Sequence, residues 1–438
     1  MKIALIIEHF DATRGGAEHF TVWLAQELAT RGHEVHVVCH DVAPRVNKYR
    51  QATQRASHDA DRSHQAGSGG GGGNSPGEAA HEGIHIHRIR GMKLNSGIGF
   101  RLFGQRARRW CAEHHPDVVH SMTVAYPGDL YQPHAGVYAA MQAQAIASRA
   151  TGAQSTWKRL MLSLSVKQRT LLGLERRAVT SLGKTHGPQR ILSLCRMMTE
   201  QFQEAYGAGE GKAEGRIVEL PNPRMSAAAA LELAAMAEQR AWFRGLYKID
   251  AAEQVAVFVG HDFRRKGLRY AIETIAQLPQ WKLLVVGLGK AREYVELANG
   301  LGIGDASPRP RVMFVGPTKQ MDPVYAASDA LLLPTFYDSF GLVVLESLAH
   351  GVPVVSTAFL GAAYLVQEHD VGTIVASPKD VGAMARALQE LPARDSVAGV
   401  ALAERARRAS AGMLPAEYLE KLLALYHEIL NEKMTKHP

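Results

Sequence analysis

The feature that most restricts the fold is the spacing of the short apolar runs. Lys2–Glu8 (KIALIIE) is too short for a core helix and nearly continuous in apolar side chains, as suits a strand buried on both faces. Gly15-Gly16 then break the chain, and Phe20, Leu24 and Leu28 recur at helical spacing before Gly32. Glu34–Cys39 (EVHVVC) is the next run. Strand, helix of about 15 residues, strand is the βαβ unit of a parallel sheet. The alternation continues through Ile84–Ile89, Asp117–His120, Asp129–His134, Arg190–Leu194 and Arg216–Leu220, and pauses at Pro221-Asn222-Pro223. It restarts with Val255–Gly260, Lys282–Val286, Arg311–Val315, Asp329–Leu333, Val352–Ser356 and Gly372–Val375. An α/β chain follows, with two doubly wound, Rossmann-like parallel-sheet domains expected to face a cleft. The expected division is 1–221 and 222–414, with a last helix, 415–438, packing back on the first domain.

Composition narrows the alternatives. The 438 residues, 46% of them hydrophobic, exclude a largely disordered chain and suffice for two cores. Cys39, Cys111 and Cys195 lie far apart without a CxxC pair, which argues against a disulfide scaffold or cysteine zinc site and for a reducing compartment. The N-terminal run meets Glu8 too early for a signal peptide, and no window approaches the roughly 18–20 apolar residues of a membrane span, so a soluble protein is expected.

Two stretches interrupt the pattern. Residues 50–83 contain no Val, Ile, Leu, Met or aromatic residue and include five consecutive glycines, Gly69–Gly73. They are expected to form a disordered insertion, in which Asp59-Ala60-Asp61 is read as chance, because a metal–nucleotide DxD needs a rigid strand end. Met141–Arg177 carries seven basic residues and one acidic, Glu175. Trp157, Leu160, Met161 and Leu164 recur at helical spacing within it. This basic amphipathic insertion either packs on the core with a solvated outer side or attaches to an anionic membrane surface. It accounts for much of the formal charge of +8.

Four βα turns carry candidate chemistry. Gly15-Gly16 lets backbone amides approach an anion at a helix N-terminus, or is an ordinary turn. Gly287-Leu288-Gly289 is similar and equally unspecific. Gly260–Gly267 (GHDFRRKG) places Arg264, Arg265 and Lys266 where a strand gives way to a helix, the pair of side-chain types that suits a diphosphate. In PTFYDSFGLVVLESLAHGVP, from Pro334 to Pro353, the amides of Phe340, Gly341 and Leu342 open a helix, with Asp338 just before it and Glu346 inside it. Two carboxylates at this spacing suit sugar hydroxyls; the plainer alternative is an N-cap Asp and a solvated Glu. Gly207–Lys212 (GAGEGK) is rejected as a phosphate loop, because Tyr206 replaces the first glycine and Ala213 the Ser or Thr that holds magnesium.

Asp338-x7-Glu346 resembles the E-x7-E motif of the retaining glycosyltransferases of the GT-B fold, family 4. The Gly15-Gly16 turn, GHDFRRKG and FGLVVLESLAHGVPVV are similar to the same family, tightly over Val255–Val375 and loosely in the N-terminal half. DFRRKG and the basic insertion resemble the lipopolysaccharide core glucosyltransferase branch. The resemblance implies that Arg265 and Lys266 neutralise the donor diphosphate, with Gly15 and Gly16 supplying amides. It implies that Glu346 binds the ribose hydroxyls and that Asp338 lies beside the donor sugar. The family usually has Glu at position 338, so the donor sugar stays open. His134 matches an active-site histidine of many members, and the resemblance to the lipopolysaccharide branch implies Asp129 instead on the acceptor side; taken alone, both are more often structural.

The implied activity is transfer of a hexosyl unit, glucose from UDP-glucose, to a lipid-linked saccharide. No metal or organic cofactor is implied. The expected location is cytoplasmic, peripheral on the inner face of the membrane. A GT-B nucleotide-sugar epimerase and a basic nucleic-acid-binding protein are the competing readings, the second without any RNA or DNA motif.

Overall fold

The computed structural model describes residues 1–42, 83–89, 94, 96–149, 152–207, 215–225 and 233–436. Residues 50–82 of the expected insertion, Asp59–Asp61 among them, and all but the first residue of Gly207–Lys212 lie outside the described residues.

The first sheet is built from β1 (Lys2–Phe10), β2 (Glu34–Val42), β3 (Ile84–Arg88), β4 (Val118–Ser121), β5 (Leu130–Tyr131), β6 (Arg190–Ser193) and β7 (Ile217–Glu219). Its order is β3-β2-β1-β4-β5-β6-β7. The apolar run of β1 is central and paired in parallel on both sides, Ile3 against Val35 of β2 and Val118 of β4. Burial of Ile3 to Ile6 from both faces explains why this strand lacks polar alternation. Helices α1 (Gly16–Thr30) and α2 (Gly97–His114) make crossovers in this half. Ser96 caps α2 by accepting the Gly99 amide at 3.0 Å.

Between β5 and β6 the chain forms α3 (Tyr138–Ala147), α4 (Gly152–Leu164) and α5 (Val166–Thr180), and between β6 and β7 it forms α6 (Arg196–Tyr206). The amphipathic stretch divides: α5 buries Thr170, Leu171 and Glu175, whereas the aromatic and aliphatic face of α4 stays exposed. On α4, Trp157 and Leu164 are each 64% exposed, and Leu160 and Met161 each 48%.

The second sheet comprises β8 (Gln254–Val259), β9 (Trp281–Val286), β10 (Val312–Gly316), β11 (Ala330–Leu333), β12 (Val354–Thr357) and β13 (Gly372–Val375). It is interleaved with α7 (Leu233–Leu246), α8 (Leu268–Ala276), α9 (Arg292–Gly300), α10 (Met321–Ala327), α11 (Leu342–Ala349), α12 (Ala363–Glu368), α13 (Val381–Gln389), α14 (Val397–Ala411) and α15 (Pro415–Lys436). The order β10-β9-β8-β11-β12-β13 is that of a dinucleotide-binding sheet, whose chain direction switches between β8 and β11. Val257 of β8 pairs in parallel with Leu331 of β11. The turns leaving β8 and β11 therefore emerge side by side at the switch point, where such sheets bind ligands.

The chain forms two compact units. The first holds Met1–Pro133, Gly173–Ile191 and Ile429–Pro438, and the second His134–Leu172 and Leu192–Glu428. The strand expected over Asp129–His134 is shorter: it covers only Leu130–Tyr131, and Pro133 has no amide to continue the ladder. His134 therefore does not end a strand of the first sheet, and it belongs to the second unit.

Candidate active site

The turn leaving β8 is Gly260–Gly267, and its three cations diverge. Lys266 is drawn inward to an ion pair with Asp338, both side chains nearly buried at 12% and 11% exposure. Burial lowers the Lys266 pKa, while Asp338 pulls it back up. Arg265 donates to the Tyr337 carbonyl at 2.8 Å and lies 3.3 Å from Asp262. Arg264 turns away, its guanidinium 3.7 Å from Glu293 of α9. The turn fits tightly under the β11 end. Gly267 has φ +78°, and a Cβ on it would lie 1.9 Å from the Pro334 carbonyl oxygen.

The second turn, Pro334–Gly341, is threaded through hydrogen bonds that fix its carboxylate. The Asp338 amide donates to Phe359 O at 3.0 Å, and Gly361 N to Asp338 O at 2.9 Å. Tyr337 accepts from the Val137 amide at 2.9 Å and donates to Gln201 Oε1 at 3.0 Å. Ser339 Oγ donates to the His134 carbonyl at 2.6 Å. These bonds bring His134 and Asp338 to one place in the second unit. Burial drives the His134 imidazole down to about 3, so it is neutral at ordinary pH.

Helix α11 opens at Gly341, φ +92°, with no side-chain cap and no acidic residue in its first turn. Its first amides, beside Phe340, Gly341 and Leu342, therefore present a positive helix end without a side-chain cap, and an Asp338 carboxylate oxygen lies nearby, 3.4 Å from where a Gly341 Cβ would be. One turn in, Glu346 is raised above the usual carboxylate range by burial, and Tyr325 donates to its Oε2 at 2.8 Å. His350 donates from Nδ1 to the Glu346 carbonyl at 2.8 Å and lies 3.2 Å from Asp322. Tyr325 and His350 escaped the sequence reading. The i,i+4 spacing of Glu346 and His350 was visible, but Tyr325 reaches Glu346 only through tertiary packing.

The first unit holds the remaining candidates. Gly15 caps α1 in an extended conformation, φ −172°. Glu18 sits in the first turn, with its carboxylate where a Gly15 Cβ would be only 2.9 Å away. An anion approaching Gly15 and Gly16 must displace that carboxylate. Asp129 accepts the Val119 amide at 2.8 Å and lies 3.1 Å from Lys433 of α15. Its carboxylate thereby joins β4 to the last helix, an arrangement that holds structure whatever else it does.

Comparisons with known proteins agree with this architecture. Residues 14–223 match the model of Glycosyltransferase Family 4, and residues 253–393 that of Glycosyl transferases group 1. The lipopolysaccharide glucosyltransferase WaaG of Escherichia coli (strain K12) is 35% identical over 135 residues, 30% of this chain and 35% of that protein. A D-inositol 3-phosphate glycosyltransferase of Mycolicibacterium smegmatis is 29% identical over 203 residues, 44% of this chain and 45% of its own length. The matches thus span less than half of these curated relatives. Among solved structures, WaaG superposes with TM-score 0.70 at 22% identity, covering 93% of this chain and 95% of that one. HepE of Anabaena, in complex with UDP and glucose, gives 0.63 at 16% identity, covering 98% and 99%. With two GT-B-type sheets and family matches reaching from residue 14 to residue 393, the chain belongs to the group 1, family 4 glycosyltransferases.

Proposed function

We propose that the chain transfers a hexosyl unit, glucose from UDP-glucose, to a hydroxyl of a lipid-linked saccharide such as a lipopolysaccharide core, with retention of configuration. The carrying observation is the convergence of Arg265, Lys266 and the uncapped α11 N-terminus at the switch point of the second sheet. Relatives named for lipopolysaccharide synthesis in Escherichia coli and Rhizobium meliloti support the acceptor class. Neighbouring structures of HepE holding UDP or UDP-glucose support the donor.

Breaking the bond between the anomeric carbon and the diphosphate oxygen leaves positive charge on the ring and negative charge on the phosphate. Arg265, Lys266 and the α11 helix end stabilise that leaving group, so the reaction needs no metal or organic cofactor. The acceptor oxygen bonds to the anomeric carbon on the same face, and its proton passes to the departing phosphate. Asp338 receives the donor sugar's hydroxyls, and a diphosphate arriving at Lys266 loosens the ion pair that holds this carboxylate. Glu346 takes the ribose hydroxyls. His134, a neutral imidazole, serves the acceptor side by hydrogen bonding; Asp129 is the alternative on that side.

The exposed Trp157, Leu160, Met161 and Leu164 on α4, among the cations of residues 141–177, support peripheral attachment to the anionic inner face of a membrane. No helix among the described residues is long and apolar enough to cross one. Incubation of UDP-glucose with and without a lipid-linked oligosaccharide separates the readings. Acceptor-dependent glucose incorporation supports transfer. Isomerised donor without acceptor points to the epimerase instead, and unchanged donor under both conditions overturns catalysis on this donor.

A further inference from the structure

Arg264 is the cation of the β8 turn that the donor reading leaves unused. It lines a cavity of about 1070 Å³ together with Arg269, Arg149 and Lys158. The cavity lies inside the second unit, with residues 148–161 on one side and α8 and α9 on the other. Its cations are unevenly neutralised. Arg269 is paired with Glu273 at 2.8 Å and Arg264 with Glu293 at 3.7 Å, whereas Arg149 and Lys158 form no ion pair among the described residues. The Arg149 Nε is shielded from solvent and meets no hydrogen-bond acceptor. Burial lowers the Lys158 pKa, and Arg149 and Arg264 lower it further with no carboxylate opposing them. Like charges held this close, partly desolvated, destabilise one another until an anion comes between them. Trp157 and Tyr270 supply flat apolar walls beside the cations.

We propose that this cavity is a second anion site, separate from the donor diphosphate, which takes a phosphate monoester carried on a saccharide or a lipid headgroup. Arg149 and Lys158 hold the phosphate with Arg264, and the aromatic walls contact the apolar faces of whatever bears it. A phosphate suits the site better than a carboxylate, because its two charges match the two unpaired cations and its oxygens reach several donors at once. The site needs no transfer reaction, and its test reads binding alone.

The experiment is calorimetric titration of the full chain, saturated with UDP so that the donor site is closed, with glucose 6-phosphate. Co-sedimentation with phosphatidic acid vesicles, using phosphatidylcholine vesicles as the neutral control, is the second arm. The Arg149→Gln/Lys158→Gln double variant is run beside the wild type, with its Tm measured to establish that it is folded. The expected result is binding of at least one of the two probes that weakens about tenfold or more in the double variant. Dependence confined to glucose 6-phosphate identifies a phosphorylated saccharide as the source, and dependence confined to phosphatidic acid a lipid headgroup. Failure of both probes to bind, or equal binding by wild type and folded double variant, overturns the site while leaving the donor assignment intact. If the double variant does not fold, the single Arg149→Lys and Lys158→Gln variants make the same comparison.

Discussion

The turn that leaves β1 and the turn that leaves β8 answer the same sequence problem in opposite ways. Both are glycine-bearing βα turns at the head of a parallel sheet. At the first, Gly15 is extended and its nearest neighbour is the flexible Glu18 carboxylate, which occupies the end of α1. At the second, the glycine is left-handed and pressed against the Pro334 carbonyl just past β11, and Arg265 and Lys266 are fixed by partners from the turn that follows β11. The polar pairs differ too. In the first unit His9 meets Asp41 at 3.2 Å with 23% and 49% exposure, while Lys266 and Asp338 are nearly closed off. A glycine pair in sequence marks a turn; only what the turn packs against shows whether its shape is enforced.

Substitution at the two turns breaks or confirms this contrast. Gly267→Ala combines a positive φ with a backbone collision, and is expected to destabilise the protein by about 3 kcal/mol or more, read as a fall in Tm. A Tm within a degree of wild type means that the β8 turn is no more constrained than the β1 turn.

Acid sharpens the same comparison. Since burial holds the folded His134 pKa near 3, below its ordinary 6.5, the unfolded chain binds the extra proton between those values. The His134 contribution to stability is thus complete above pH 6.5 and declines as pH falls toward 3, at up to about 1.4 kcal/mol per pH unit. Denaturant titrations of wild type and His134→Asn are expected to converge in relative stability as the pH is lowered through this window. Parallel pH profiles contradict a buried neutral imidazole.

The smallest effect belongs to Gly15→Ala. Extended backbone accepts alanine, Glu18 swings aside, and the lost chain freedom favours folding, so the expected change is within about 0.5–1 kcal/mol of zero. A large loss of stability there erases the distinction between the turns.

Most of the architecture was legible because parallel strands buried on both faces leave uninterrupted apolar runs, as in KIALIIE and ALLL. The segments around Lys266 and Asp338 stood out for the same reason, as polar turns interrupting that rhythm at strand ends. What the sequence hid were relations between distant segments. Arg264 diverges from Arg265 and Lys266 toward Glu293 of α9, and the Tyr325 hydroxyl of α10 reaches Glu346 of α11. The shortened β5 was readable in Pro133, which supplies no amide to the ladder.

The diphosphate cradle is tested most directly by comparing UDP with uridine. Lys266→Ala leaves Asp338 buried without its partner, at a cost of about 3–5 kcal/mol, so Arg265→Ala and Lys266→Met/Asp338→Asn are the better variants. Calorimetry on these proteins separates the charge of the diphosphate from the rest of the nucleotide. The account predicts that each variant weakens UDP binding by about tenfold or more and leaves uridine binding unchanged. Wild-type affinity for UDP in both folded variants contradicts it.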